Sequence, residues 1–496
     1  MKTISQRPPL VKTGIEGLDH ILGGGLPPDR LYMVHGNPGV GKTTLALQFL
    51  LEGLNKGEKC LYVTLSESRA ELTVIAESHG WDVENLSVIE LSAIVSKLSQ
   101  EEQNTLFHPS EIELSRTIDF LTQQVEAEKP TRVVFDSLSE LRLMAEGPLR
   151  YRRQLLALKQ FFIGRNVTVL LLDDLEGSEY LFHVHTIAHG VICLEKLQSD
   201  FGAHRRRLEI SKLRGVKFRD GLHDYIIARG GIKVFPRLNA SEHEKVAYQP
   251  PLSAGIREFD TLLGGGLDRG TSTLFLGPAG TGKSTLAMVH AVAAARAGER
   301  AVIFCFDENE NTLRSRLRGI DLEIDTLIDA NMIEIREVDP AELTPGEFSY
   351  FVKESAMRGG ARVIVIDSLN GYLNSMPDEK FLSLHLHELL AYLSRAGVVT
   401  IMTLAQHGVI GMMGTPVDIT YLADTVILLR YFENAGYVRK AISVVKKRSG
   451  LHEDSIREFK IDRSGVRVGP PLEDFRGVLT GTPEYFGKQA SMLKSR

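Results

Sequence analysis

The feature that most limits what this chain can become is a glycine loop that occurs twice. "GNPGVGKTT" fills 36–44 and "GPAGTGKST" fills 277–285, each behind an apolar run and ahead of a helical period. The flanks repeat as well. "TGIEGLDHILGGGLPPDRLYMVHGNPGVGKTTLALQ" aligns without a gap with "AGIREFDTLLGGGLDRGTSTLFLGPAGTGKSTLAMV". Further on, "CLYVTLSES" pairs with "AVIFCFDEN", "TRVVFDSLSEL" with "ARVIVIDSLNG", and "ISKLRGVKFRDG" with "VVKKRSGLHEDS". The first copy carries roughly ten extra residues near 91–115. Repetition at this scale means duplicated domains. The polar stretch 237–253, with its Pro-Pro, reads as the linker. The expected units are 1–243 and 244–485, followed by a short tail, 486–496.

Each half alternates buried apolar runs with helical periods, for example "RVIVID", then "FLSLHLHELLAYLSRAG", then "VVTIMTL". Leu382, Leu386, Leu389 and Leu393 share one helical face. Such β-α-β alternation predicts α/β domains built on a mostly parallel sheet. His385 and His387 are two apart on that helix and cannot share a face, so a solvated helix edge is preferred over a metal pair.

The glycine loops define the chemistry. Gly36, Gly39 and Gly41, like Gly277, Gly280 and Gly282, let the backbone curl so that N–H groups face phosphate oxygens. The helix N-terminus adds partial positive charge. Lys42 and Lys283 are placed to reach the β- and γ-phosphates, Thr43 and Ser284 to ligate Mg²⁺, and Thr44 and Thr285 complete the loops. Asp136 and Asp367 end apolar strands, where a carboxylate holds Mg²⁺ directly or through water; capping a following helix is the plainer alternative. Phosphoryl transfer also needs a group to orient the attacking water or hydroxyl. Glu67, in Ser66-Glu67, and Asp307 with Glu308 end the neighbouring strand and are the candidates. The predicted ligand is ATP with Mg²⁺.

The entire set resembles the KaiC family of tandem RecA-like P-loop ATPases, some of which drive circadian clocks. The resemblance runs through both halves, from "LGGGLPPDRLYMVHGNPGVGKT" to "VIDSLNGYL", "KLRG" and "SVVKKRSGLHEDSIREF". It implies a double-ring homohexamer with ATP bound between subunits. Lys212 and Arg214 match the positions that reach a neighbour's nucleotide in the first ring, and Lys446 and Arg448 those in the second. It also implies hydrolysis in the first ring and Ser/Thr autophosphorylation in the second. The family's acceptor pair falls on Thr420-Tyr421, which makes Thr420 the expected phosphoacceptor. Where the family has paired glutamates this chain has Ser66-Glu67 and Asp307-Glu308. The tail after "LTGTPEYFG" is short. The resemblance further implies a KaiB-like or other signalling protein as partner.

Composition removes several other classes. A net charge of −5 argues against a nucleic-acid partner, although "HRRRLEISKLRGVKFR" (204–219) is locally basic. A RecA/RadA-like DNA recombination or repair motor is the rival reading; RadA-type proteins carry a four-cysteine zinc module, and this chain has only Cys60, Cys193 and Cys305. A third reading is an ATP-dependent signalling scaffold with slow turnover. No apolar run reaches 18 residues, so no membrane span is expected. The start lacks the apolar core of a signal peptide, which leaves the cytoplasm as the expected location. The histidines His183, His185 and His189 lack identifiable further ligands and read as core or surface residues rather than a metal site.

Overall fold

The computed structural model describes residues 9–90, 120, 122–145, 147–174, 185–198, 204–240, 249–374, 379–406, 419–479 and 483–487. The first copy's extra residues near 91–115, His183, and most of the tail lie outside these. Contacts divide the chain into two compact units, Met1–Arg237 and Leu238–Arg496. The expected boundary at 243/244 falls within 241–248, also outside the described residues.

Among the described residues the first unit is built on nine strands: β1 (Leu31–Gly36), β2 (Cys60–Thr64), β3 (Ser87–Glu90), β4 (Arg132–Asp136), β5 (Thr168–Asp173), β6 (Gly190–Leu197), β7 (Arg205–Leu213), β8 (His223–Ala228) and β9 (Gly231–Phe235). Their order is β3-β2-β4-β5-β1-β6-β7-β8-β9. The sheet is parallel from β3 through β6. It then continues as an antiparallel extension through β9.

The second unit repeats this plan. The strands of its main sheet are β10 (Ser272–Gly277), β11 (Ala301–Cys305), β12 (Ile333–Glu337), β13 (Val363–Asp367), β14 (Val399–Ala405), β15 (Thr425–Asn434), β16 (Tyr437–Lys447), β17 (Arg457–Asp462) and β18 (Gly465–Pro471). They lie in the order β12-β11-β13-β14-β10-β15-β16-β17-β18.

Burial explains the strand sequences. β1, β2, β4 and β5 are buried at every position, as parallel strands covered on both faces must be. Side chains alternate between two cores. Tyr32, Val34, Tyr62 and Leu170 pack with Leu45 and Phe49 of the helix Lys42–Asn55. Met33, Val63, Phe135 and Leu171 pack with Leu155, Leu158 and Phe162 of the helix Pro148–Phe162 on the other side. In the second unit, Leu382, Leu386, Leu389 and Leu393 are all buried, as the helical spacing requires. His385 is half-buried and His387 exposed.

The parallel order fixes where chemistry can occur. β1 lies between β5 and β6, and β4 between β2 and β5. Ligands of open α/β sheets sit beyond the carboxyl ends of such strands. Gly36, Thr64, Asp136 and Asp173 end their strands there.

Candidate nucleotide sites

Both glycine loops open a 14-residue helix. The residue before each helix has a left-handed backbone, φ 100° at Gly41 and 109° at Gly282. A side chain there would be strained in itself. It would also strike a neighbour, since a Cβ on Gly41 would lie 2.7 Å from Ile227 and one on Gly282 2.4 Å from Ile461. Neither helix is capped by a side chain. By contrast, Ser68 and Glu71 form a full capping box on the helix Arg69–His79. The first N–H groups of the loop helices are therefore left to a ligand. A Cβ on Gly39 would meet nothing within 4 Å. The extension pins the loops from behind: Tyr225 donates to the Val40 carbonyl at 2.7 Å, while Tyr431 and Lys440 donate to those of Ala279 and Gly280 at 3.2 and 3.0 Å.

In the first site Lys42 Nζ donates to the carbonyls of Gly36 (2.8 Å) and Asn37 (3.3 Å). It also pairs with Asp174 Oδ1 at 2.7 Å. The Thr43 hydroxyl donates to Asp136 Oδ2 at 3.0 Å, and Tyr62 donates to the same oxygen at 2.5 Å. Burial pushes the Asp136 carboxyl upward, against these hydrogen bonds. Glu67 is held by an exchange of hydrogen bonds between Thr64 Oγ1 and its backbone, at 2.8 and 2.9 Å. Its Oε2 is buried with no hydrogen-bond partner. Burial, then the charges of Asp136 and Glu71, push the Glu67 carboxyl up to about 7. Asp173 is fully buried, and burial pushes it up to about 6.

The second site has the same frame and different neighbours. Lys283 Nζ donates to the carbonyls of Gly277 and Pro278 at 2.9 and 2.7 Å. Burial pushes its ammonium down to about 8. Ser284 donates to Asp367 Oδ1 at 2.9 Å, joined by Thr403 at 2.5 Å. Asp307 accepts from Ser368. Glu308 is engaged by Arg316, whose Nε and Nη2 donate to its two oxygens at 3.2 and 2.7 Å. Matching the sheet registers sets Asp173-Asp174 of the first unit against Leu404-Ala405 of the second. The second site thus lacks the acid that holds Lys42.

These surroundings fit MgATP. Mg²⁺ takes one or two carboxylates plus phosphate oxygens rather than a dedicated protein cage. Thr43 with Asp136, and Ser284 with Asp367, would supply the protein's share. Bound there, Mg²⁺ would offset charge on the β- and γ-phosphates.

The basic pairs sit on the extension, at the ends of β7 and β16. Lys212 Nζ donates to the carbonyls of His185 and, at 2.7 Å, Ala188. Arg214 reaches that of Thr186 at 3.4 Å. In the same way Lys446 holds the carbonyls of Thr420 (2.8 Å) and Ala423 (2.7 Å). Arg448 holds that of Tyr421 at 2.7 Å. The expected phosphoacceptor segment is therefore tied directly to the second basic pair. Thr420 is half-buried and Tyr421 exposed.

Sequence reasoning did not find Asp174, Tyr62, Thr403 or Arg316. Asp174 follows the carboxyl end of β5, a position that marks it once the strand order is known. The other three declare themselves only through packing.

A glycine loop between strand and helix, a hydroxyl–carboxylate pair at its mouth and a parallel sheet with an antiparallel extension define each unit as a RecA-like P-loop ATPase domain. Family comparison agrees with the geometry: the family described as "ATPase: KaiC" matches residues 11–239 and again 252–473. The chain belongs to the KaiC family. It is 27% identical over 482 residues to "Circadian clock protein KaiC3" of Synechocystis sp., covering 96% of this chain and 94% of the relative. It is 26% identical to "Circadian clock oscillator protein KaiC" of Acaryochloris marina, covering 95% and 91%. Among the described residues no helix is long and apolar enough to cross a membrane.

Proposed function

We propose that this protein is a cytoplasmic, ring-forming ATPase that binds MgATP in both units, with hydrolysis in the first and autophosphorylation in the second. The observation that carries this reading is the repeated hydroxyl–carboxylate pair, Thr43 with Asp136 at 3.0 Å and Ser284 with Asp367 at 2.9 Å, beside each loop lysine. In the first site Glu67 orients and deprotonates the attacking water. Lys212 and Arg214 act on the nucleotide of the adjacent subunit in a homohexamer, as do Lys446 and Arg448 in the second ring. There the Thr420 hydroxyl attacks the γ-phosphorus. The bond to the ADP oxygen breaks, and Asp307 or Glu308 takes the hydroxyl proton. A phosphate adds roughly −1.5 to −2 charge at Thr420, beside Lys446 and Arg448. The relatives' names support a timing role; a wider signalling role, with a KaiB-like or other signalling protein as partner, completes the proposal.

One incubation with γ-labelled ATP tests the assignment, with phosphate release and protein labelling followed together, with and without DNA. The expected result is phosphate release indifferent to DNA and label on Thr420 in the 415–430 peptide. Release without label removes the autokinase activity. Strong DNA stimulation without label replaces the reading with a DNA motor. Label on Tyr421 would show that the longer side chain is the acceptor.

The raised Glu67 carboxyl gives a pH signature. A base must be ionised, and kcat/KM reports the free enzyme's groups. In a Lys283→Ala chain, first-site kcat/KM declines as pH falls through about 7, because Glu67 takes up a proton before water can give one. A profile flat from pH 8 to pH 5 would exclude Glu67 as the base.

A further inference from the structure

The helix Glu310–Arg318 starts behind Asn309, which caps it by accepting from the Thr312 N–H at 2.9 Å. From this helix Arg316 reaches back across the second site with all three of its guanidinium nitrogens engaged. Two meet the two oxygens of Glu308. The third, Nη1, donates to Thr285 Oγ1 at 3.0 Å. Thr285 follows Ser284, the hydroxyl that pairs with Asp367. The fork therefore binds the strand-end carboxylate to the first turn of the loop helix.

The first unit has the same backbone without the fork. Its helix Arg69–His79 starts behind Ser68, the counterpart of Asn309. Ile75 stands where the second unit has Arg316, and it packs against the core. Thr44 Oγ1 lies 3.5 Å from His79 Nε2. Glu67, the counterpart of Glu308, keeps its buried Oε2 without a partner. One site thus presents an uncommitted carboxylate. The other presents a carboxylate with both oxygens held.

We propose that Arg316 is a positioning residue that withdraws Glu308 from activating water, leaving Asp307 as the second site's acceptor for the Thr420 proton, so that the second site is a slow hydrolase by construction. The proposal rests on the reading of Glu67 as the first site's base. A bidentate guanidinium takes one lone pair on each oxygen and lowers the carboxylate's tendency to accept a proton from water. Its planar fork fixes the carboxylate's direction as a lysine would not. Side-chain exposures of 32% and 24% make this a partly solvated pair. Such a pair contributes little to stability, so its removal is tolerated by the fold.

The test uses the full chain with Lys42→Ala, which silences the first site. Adding Arg316→Ile installs the first unit's residue. Second-site kcat is expected to rise about tenfold, part of the roughly 10²–10⁴ that a positioned base contributes, with KM for ATP unchanged. Arg316→Lys, a point charge without the fork, should give a smaller rise. Arg316→Ile with Glu308→Gln should return the rate to that of the Lys42→Ala parent. In the other direction, Ile75→Arg in a Lys283→Ala chain should slow the first site. A fall in kcat on Arg316→Ile, or a gain that persists with Glu308→Gln, overturns the proposal. The underlying reading fails separately, if Glu67→Gln leaves the first site's rate intact. If the Arg316→Ile chain does not fold, Arg316→Lys and Ile75→Arg decide, and no change in either rate refutes it.

Discussion

Glu67→Gln is expected to slow phosphate release from the first site by roughly 10²–10⁴-fold while leaving ATP binding in place. The substitution keeps shape and volume, so the strand end is undisturbed. It removes the carboxylate that, in the proposed reading, takes a proton from water. It also removes a buried carboxyl that is in repulsion with Asp136 and Glu71, so nucleotide affinity is expected to hold or improve. Lys283→Ala isolates the first site for this measurement. Phosphate release and ATP binding are followed on the same preparation. A rate within a few-fold of the Lys283→Ala parent would show that water is oriented by another group.

The second large effect belongs to Arg214. Its hydrogen bond among the described residues goes to the carbonyl of Thr186, not to its own phosphate loop. Lys212 is held likewise by His185 and Ala188. The pair is thus presented on the rim of the extension, away from its own Lys42. A cation delivered in trans to a transferring phosphoryl group contributes on the order of 10³-fold or more. Arg214→Ala should cost about that much of first-site turnover, and Lys42→Ala should abolish it. Mixed rings of the two chains contain some interfaces that pair an intact loop with an intact arginine. Those interfaces should restore part of the activity. Absence of rescue in rings verified as mixed, or full-rate hydrolysis by a monomer, would place the arginine's action in cis or elsewhere.

Much of this was legible in the sequence because it depends on local order. A glycine loop between a β-rich run and a helical period can be read residue by residue. So can strand-end acids, since an apolar run must stop where its sheet meets water. Asp136 and Asp367 were picked out as candidates that way and do end β4 and β13, while Glu67 lies three residues past the end of β2. The duplication supplied a second reading of each feature. What remained hidden depends on which strands become neighbours. Asp174 meets Lys42 only because β5 lies beside β1. Tyr62 meets Asp136 because β2 lies beside β4. In the second unit Thr403 approaches Asp367 from β14, next to β13. Arg316 reads as one more charge on a polar helix face. Only its turn relative to the strand end makes it the partner of Glu308. The antiparallel extension that carries both basic pairs was likewise absent from a reading confined to β-α-β alternation.

The bond between Lys42 and Asp174 has a consequence for how the chain responds to supply. An incoming triphosphate finds the first lysine already satisfied by an internal anion, which it must displace. Lys283 donates only to two backbone carbonyls among the described residues, and Ala405 stands where an acid would be. Under the proposed function, the first site is therefore expected to fill at higher ATP than the second. In the proposed double ring, sparse ATP would engage the second tier alone and abundance both, so that the assembly would register how much nucleotide is present, not merely whether it is there.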